Sequence, residues 1–325
     1  MATNIIVWSD LQAHPWHEDI SPKHWEKTVL GCIKFVFEYT AKTQADYLVF
    51  NGDLFESKRV RIDVMSAVLD TIDYWSKQCS ADRLAVAGNH DVYGKYTTVN
   101  LMRGFRAITD PITILGSRVL LVPHHTAFTH GMQHTAAYSA DWQLAITHDD
   151  IKGSDQGHLI TAQLDGIDPA VIKQAGNRGA PIFNGHYHHR HEFKRGGAKI
   201  VNYGACMYHD WSDLDDTLGR GLCHITVDDD RVSWKYVNYK CPRFLSREMA
   251  KKLQSAQGED FVQVIDFNNV SQDAETLSHE NVAQVASFDT KVSVEAYLRA
   301  EGVDPQSTYG RMLYQTGVKL LREKS

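Results

Sequence analysis

The run Tyr47-Leu48-Val49-Phe50, closed at once by Asn51-Gly52-Asp53, limits the fold more than any other stretch of the chain. Four apolar residues followed by a turn signal read as a short buried strand. Asp53 then stands at its carboxyl end, where open α/β sheets build their sites. The pattern recurs. Residues 4–9 end at Asp10-Leu11-Gln12, residues 83–87 run into Gly88-Asn89-His90-Asp91, residues 143–147 deliver His148, and residues 180–183 end in Asn184-Gly185-His186-Tyr187-His188.

Helical periodicity fills the early gaps. Trp25, Val29, Ile33, Val36 and Phe37 lie on one side of residues 22–42, and Ile62, Met65, Leu69 and Ile72 on one side of residues 61–79. Strands alternating with helices indicate βαβ units and a largely parallel start to the sheet. Further strands are expected at 112–115, 118–122 and 199–203, a hairpin at 223–227 and 232–239, and a helix at 167–175. A strand followed by a loop bearing His or Asp, repeated along the chain, implies two packed sheets with one shared rim.

After Cys241-Pro242-Arg243 the texture changes. Residues 246–258 and 292–300 read as helices, 261–267 as a strand, and 309–323 as a last amphipathic helix. At 325 residues the chain should hold a main domain and a smaller one. We divide it into a main domain at 1–244, a smaller α+β domain at 245–305 and a terminal helix at 306–325.

A net charge of −6 argues against a broadly basic surface that neutralises many phosphates by itself. It leaves phosphate substrates open, because two divalent cations would dominate their local field. Five scattered cysteines without metal-clip spacing suit a reducing compartment. The start of the chain has no basic region followed by a long apolar core, and no run approaches spanning length. The expectation is a cytoplasmic protein with no membrane partner.

Each polar motif alone has an ordinary reading: Asp10 and Gly52-Asp53 could be turns. Their order at five strand ends is what carries information: Asp, Gly-Asp, Gly-Asn-His-Asp, His, Gly-His-x-His. Carboxylate, amide and imidazole donors in that arrangement point to a dinuclear metal site.

Over roughly residues 4–240 the chain resembles the calcineurin-like metallophosphoesterase superfamily. The resemblance implies an α/β/β/α sandwich with a capping domain and two divalent metal ions. Asp10, Gln12, Asp53 and His188 would hold one; Asp53, Asn89, His148 and His186 would hold the other. His90 would act as the acid, with Asp91 orienting it. The donor set suits Mn2+ and is compatible with Mg2+, Fe or Zn2+. Gln12 stands where the family usually has His, and His14 is a rival ligand if the first strand continues. His124, His125, His189, His191 and His209 read as loop residues or as supports for the ligands.

Within the superfamily, three segments resemble the SbcD-type DNA double-strand-break repair nucleases of bacteria and phages. They are the block Asn51-Gly52-Asp53-Leu54-Phe55-Glu56, the stretch from Val201 to Leu222, and Tyr239-Lys240-Cys241-Pro242-Arg243-Phe244. This resemblance implies a Mn2+-dependent DNA exonuclease and endonuclease, a homodimer, and an SbcC-like SMC-type ATPase partner docked on the C-terminal helix. Glu56 departs from the His common there. The alternative is a stand-alone phosphoesterase acting on a small nucleotide or phosphoprotein.

Overall fold

A computed structural model describes residues 2–14, 22–57, 59–93, 96–116, 118–124, 142–151, 180–195, 197–209, 213, 216–229, 231–246, 249, 252–253 and 261–263. The chain divides into two compact units, Met1–Gln263 and Val264–Ser325, and only the first contains described residues. The helices expected at 167–175, 292–300 and 309–323 lie outside them.

In chain order the elements are β1 (Thr3–Trp8), α1 (Pro22–Thr43), β2 (Tyr47–Asn51), α2 (Ile62–Ser76) and β3 (Asp82–Val86). A two-stranded hairpin of β4 (Val92–Tyr93) and β5 (Tyr96–Thr97) follows, then β6 (Arg106–Ile108), β7 (Ile112–Ile114), β8 (Val119–Val122) and β9 (Leu144–Thr147). Next come β10 (Pro181–Asn184), β11 (His191–Arg195), β12 (Ala198–Asn202), β13 (Arg220–Val227) and β14 (Val232–Tyr239). Strands β15 (Phe244–Ser246) and β16 (Phe261–Gln263) close the described part as a parallel pair.

Two six-stranded sheets result, ordered β14-β13-β1-β2-β3-β6 and β11-β12-β10-β9-β8-β7. Strands β1, β2, β3 and β6 are mutually parallel, as are β12, β10, β9 and β8, with antiparallel strands at the margins. The mixed α/β sandwich expected from the sequence is therefore the observed architecture.

Side-chain alternation explains the layers. Ile6, Trp8, Leu48 and Phe50 point to the helices and meet Val29, Ile33, Val36 and Phe37 of α1. Ile5, Val7, Val49 and Val86 point the other way and meet Leu121, Ile146, Phe183 and Val201 of the second sheet. Leu120, Val122, Ile182 and Ile200 line that sheet's far face. Each such side chain contributes roughly 1.5–3 kcal/mol when fully buried.

One helix face differs from expectation. α2 buries the i, i+4 row Val64, Val68 and Ile72, whereas Ile62 is 78% exposed and Met65 and Leu69 sit at the margin. Ile72 belongs both to the stripe read from the sequence and to the buried row, and Met65 and Leu69 still pack against the same core, so the expectation fails at the N-terminal turn, where Val64 is buried in place of Ile62.

Because the core strands run parallel, their carboxyl ends come to one rim. Asn51 joins the sheets there, its Nδ2 donating to the Thr147 carbonyl (2.7 Å) and to the Tyr203 hydroxyl (2.8 Å). Among the described residues no helix is long and apolar enough to cross a membrane.

Candidate metal centre

The backbone at this rim is strained in a selective way. Asp10 (φ 52°), Gln12 (φ 41°), Asp53 (φ 62°) and His186 (φ 70°) occupy the left-handed region without being glycine. Such conformations cost free energy and cluster where function requires a particular side-chain direction. The turns brace one another: the Asp10 N–H donates to the Gly52 carbonyl (2.9 Å) and the Gln12 N–H to the Asp53 carbonyl (3.0 Å).

Glycines let these turns close. A Cβ on Gly88 would lie 2.3 Å from Asp53 Oδ1, and one on Gly52 would lie 2.3 Å from His148 Nδ1. Gly185 is also tight, its Cβ position 2.7 Å from the same imidazole nitrogen.

Three buried polar atoms converge in the space so made. Asp10 Oδ1, Asp53 Oδ2 and His148 Nε2 are sealed from solvent and have no hydrogen-bond partner among the described residues. His148 Nε2 lies 3.1 Å from Asp53 Oδ2 and 3.8 Å from Asp10 Oδ1, close in distance yet not aligned for hydrogen bonding. Unpaired buried polar atoms are costly, and donor atoms crowded into one space around Asp53 fit cations held among them. One donor atom each of Asp53, His148 and His186 also falls within 4.8 Å of the others. The residues present therefore fit a divalent metal.

The supports of these donors are in place. His148 Nδ1–H donates to the Asn51 carbonyl (2.5 Å), which aims Nε2 at the carboxylates. Hydrogen bonds of this kind orient ligating histidines. Burial alone would lower the His148 pKa, but the Asp53 and Asp10 carboxylates outweigh it and hold it at about 10. Burial would raise Asp53, yet His148 and then His90 hold its carboxyl well below the usual carboxylate range. Asp10 Oδ2 accepts from the Ser9 hydroxyl and from the His186 N–H (3.2 Å).

Asn89 and His186 meet directly, His186 Nδ1 lying 3.0 Å from Asn89 Oδ1. The other ring nitrogen lies 3.0 Å from Asp150 Oδ1, so both imidazole nitrogens face oxygen acceptors. Binding a metal through this ring requires it to exchange one of them for the ion. His188 stands beside His209, ring centroids 4.6 Å apart. Burial and the neighbouring His209 push its pKa down to about 4, leaving a neutral imidazole with a lone pair to give.

His90 is the accessible group, its side chain 36% exposed. Its backbone N–H donates to Asp53 Oδ1 (2.9 Å), its ring Nδ1–H is held by the Glu56 carbonyl, and its Nε2 lies 4.0 Å from Asp53 Oδ2.

The family pattern of calcineurin-like phosphoesterases matches residues 3–201, more than half of the chain. The chain belongs to this family. Among solved structures, a dimetal phosphatase from Danio rerio is 12% identical, with a TM-score of 0.47 and coverage of 72% of this chain and 95% of that one. Yfce, a phosphoesterase from E. coli, is 17% identical, with a TM-score of 0.37 and coverage of 71% and 91%. A conserved protein from Streptococcus pneumoniae, described as a predicted phosphoesterase, is 16% identical, with a TM-score of 0.35 and coverage of 73% and 90%. No curated protein matches the chain.

Several details of this phosphoesterase depart from the sequence reading. Asp91 does not hold the His90 ring. Its buried carboxylate accepts from the N–H groups of Gly88 (2.9 Å), Asp53 (2.7 Å) and Leu54 (3.1 Å) and from the Thr98 hydroxyl (2.5 Å). The Glu56 carbonyl takes the orienting role, because the loop after Asp53 folds back over His90. The alternation that would put His14 on the side of Gln12 is lost as well: β1 ends at Trp8, and both Asp10 and Gln12 turn left-handed. His14 Nδ1 instead lies 2.8 Å from the Gln12 carbonyl.

Among the supporting histidines, His124 pairs with Asp149 (3.2 Å), His189 with Asp216 (2.7 Å) and His191 with Asn202 (2.7 Å). His125 lies outside the described residues. Sequence reasoning did not single out Asp150, although its place in His148-Asp149-Asp150 was a signal. Asn51 was legible only as part of a turn and Tyr203 only within a family-like segment, because a buried amide and phenol that join two sheets have no local signature.

Proposed function

We propose that this phosphoesterase is a dinuclear-metal phosphodiesterase that cleaves DNA, and that Asp10, Gln12, Asp53, Asn89, His148, His186 and His188 hold its two cations. The observation that carries the metal reading is the convergence of the orphaned atoms Asp10 Oδ1, Asp53 Oδ2 and His148 Nε2. Two divalent cations held there, Mn2+ by preference, would activate a water and polarise the phosphoryl oxygens for in-line attack.

The chain's own residues supply the rest. When protonated, His90 keeps its Nδ1–H on the Glu56 carbonyl and presents Nε2–H toward the departing oxygen. After the proton leaves, the neutral ring stays in the Nδ1–H form that this carbonyl holds. Positioned acids of this kind contribute about 100- to 10,000-fold.

DNA as the substrate rests on the three SbcD-like segments. A feature of the rim supports it. The hairpin of β4 and β5 follows directly on His90-Asp91 and carries Tyr93 and Tyr96, 62% and 65% exposed. Aromatic faces at such a rim can stack on bases without reading their sequence. An SbcC-like ATPase partner, a homodimer and a cytoplasmic location belong to the same reading. A partner would add the positive charge that the chain lacks.

A Mn2+-supplemented digest of end-labelled duplex DNA and circular single-stranded DNA tests the proposal. Wild type should degrade both, and His90→Ala should keep both metals while losing about 100-fold or more of the activity. Intact DNA beside rapid hydrolysis of bis(p-nitrophenyl) phosphate would favour a small-molecule phosphoesterase instead.

A further inference from the structure

Behind His188 lies a group of charges that hydrolysis does not use. Arg220 is fully buried at the start of β13. Its Nη2 donates to Asp213 Oδ1 (2.6 Å), and its Nη1 lies 2.6 Å from Asp216 Oδ2. The Tyr208 ring covers the guanidinium, centroid 4.7 Å from Cζ.

Each carboxylate holds a histidine. Asp213 Oδ2 accepts the backbone N–H of His209 (2.7 Å), and the His209 ring, buried, packs against that of His188. Asp216 Oδ2 lies 2.7 Å from Nδ1 of His189. The residues on either side of His188, one in space and one in sequence, are thus tied to a single guanidinium. Removing two carboxylates and a guanidinium from water is costly, and a surface loop needs no such anchor.

We propose that the Asp213–Arg220–Asp216 triad is a positioning element of the metal site, fixing the His188 imidazole through the ring of His209. This rests on the reading of His188 as a metal ligand. Groups that orient a ligating imidazole typically govern about 10- to 100-fold in metal affinity.

The test is Mn2+ titration of the full-length chain by calorimetry, with metal content per chain measured on the same samples and folding checked by circular dichroism. His209→Ala removes the ring support and leaves the triad in place; the isosteric Asp213→Asn loosens the anchor. Both should weaken one of the two ions by about 10- to 100-fold and spare the other. His209→Phe, which restores a ring of similar width without nitrogens, should recover most of the loss. Wild-type affinity for both ions in folded His209→Ala or Asp213→Asn would overturn the inference, as would a His209→Phe protein as weak as His209→Ala. His188→Ala separates the premises. If it keeps both ions, the ligand reading falls and the inference with it. If it loses one while His209→Ala loses none, the inference falls alone.

Discussion

His148 sits between two carboxylates that hold its pKa at about 10 against burial, so near neutral pH the metal-free ring carries a proton. A cation that takes Nε2 must displace it. The sign follows: apparent metal affinity should rise with pH, by about tenfold per unit, until the pH approaches the pKa of the metal-free ring. Calorimetric titration with Mn2+ at several pH values between about 6.5 and about 8.5 would show the slope, and a flat profile would mean that Nε2 is not a ligand. Asp91 allows a second comparison. Asp91→Ala leaves the N–H groups of Gly88, Asp53 and Leu54 without their acceptor and should cost about 3 kcal/mol or more in chemical denaturation. His90→Ala, at an accessible ring, should cost far less. Equal losses would return Asp91 to a role specific to His90.

The turns at the strand ends depend on missing side chains. Gly88→Ala puts a methyl group against Asp53 Oδ1 and the Asp53 N–H, and should release metal while the two sheets stay folded. Metal content and the circular dichroism spectrum together would show it, and full metal occupancy would refute the packing argument. The strands that frame these turns were legible because buried parallel strands read as short apolar runs; the structure begins β2 at Tyr47 and spans β14 from Val232 to Tyr239, as expected. Strand β11 was not legible. Its sequence His191-Glu192-Phe193-Lys194-Arg195 belongs to an edge, where charge replaces hydrophobicity. The donor residues could be read from their motifs, but the partners of Asp91 could not. Hydrogen bonds from one carboxylate to the backbone of residues 53 and 54 depend on tertiary closure that no local pattern records.

Taken whole, the molecule brings together motifs up to 178 positions apart, from Asp10 to His188, at one rim of two packed sheets. The chain carries a net charge of −6, so unaided DNA binding should be weak. The question beneath all of this is whether two cations sit where the orphaned atoms point. Anomalous diffraction from Mn2+-loaded crystals at the manganese edge answers it. Two peaks about 4 Å apart should appear with Asp53 between them, His148 beside one and Asp10 beside the other. A single peak, or a pair of peaks that Asp53 does not bridge, would contradict the dinuclear centre.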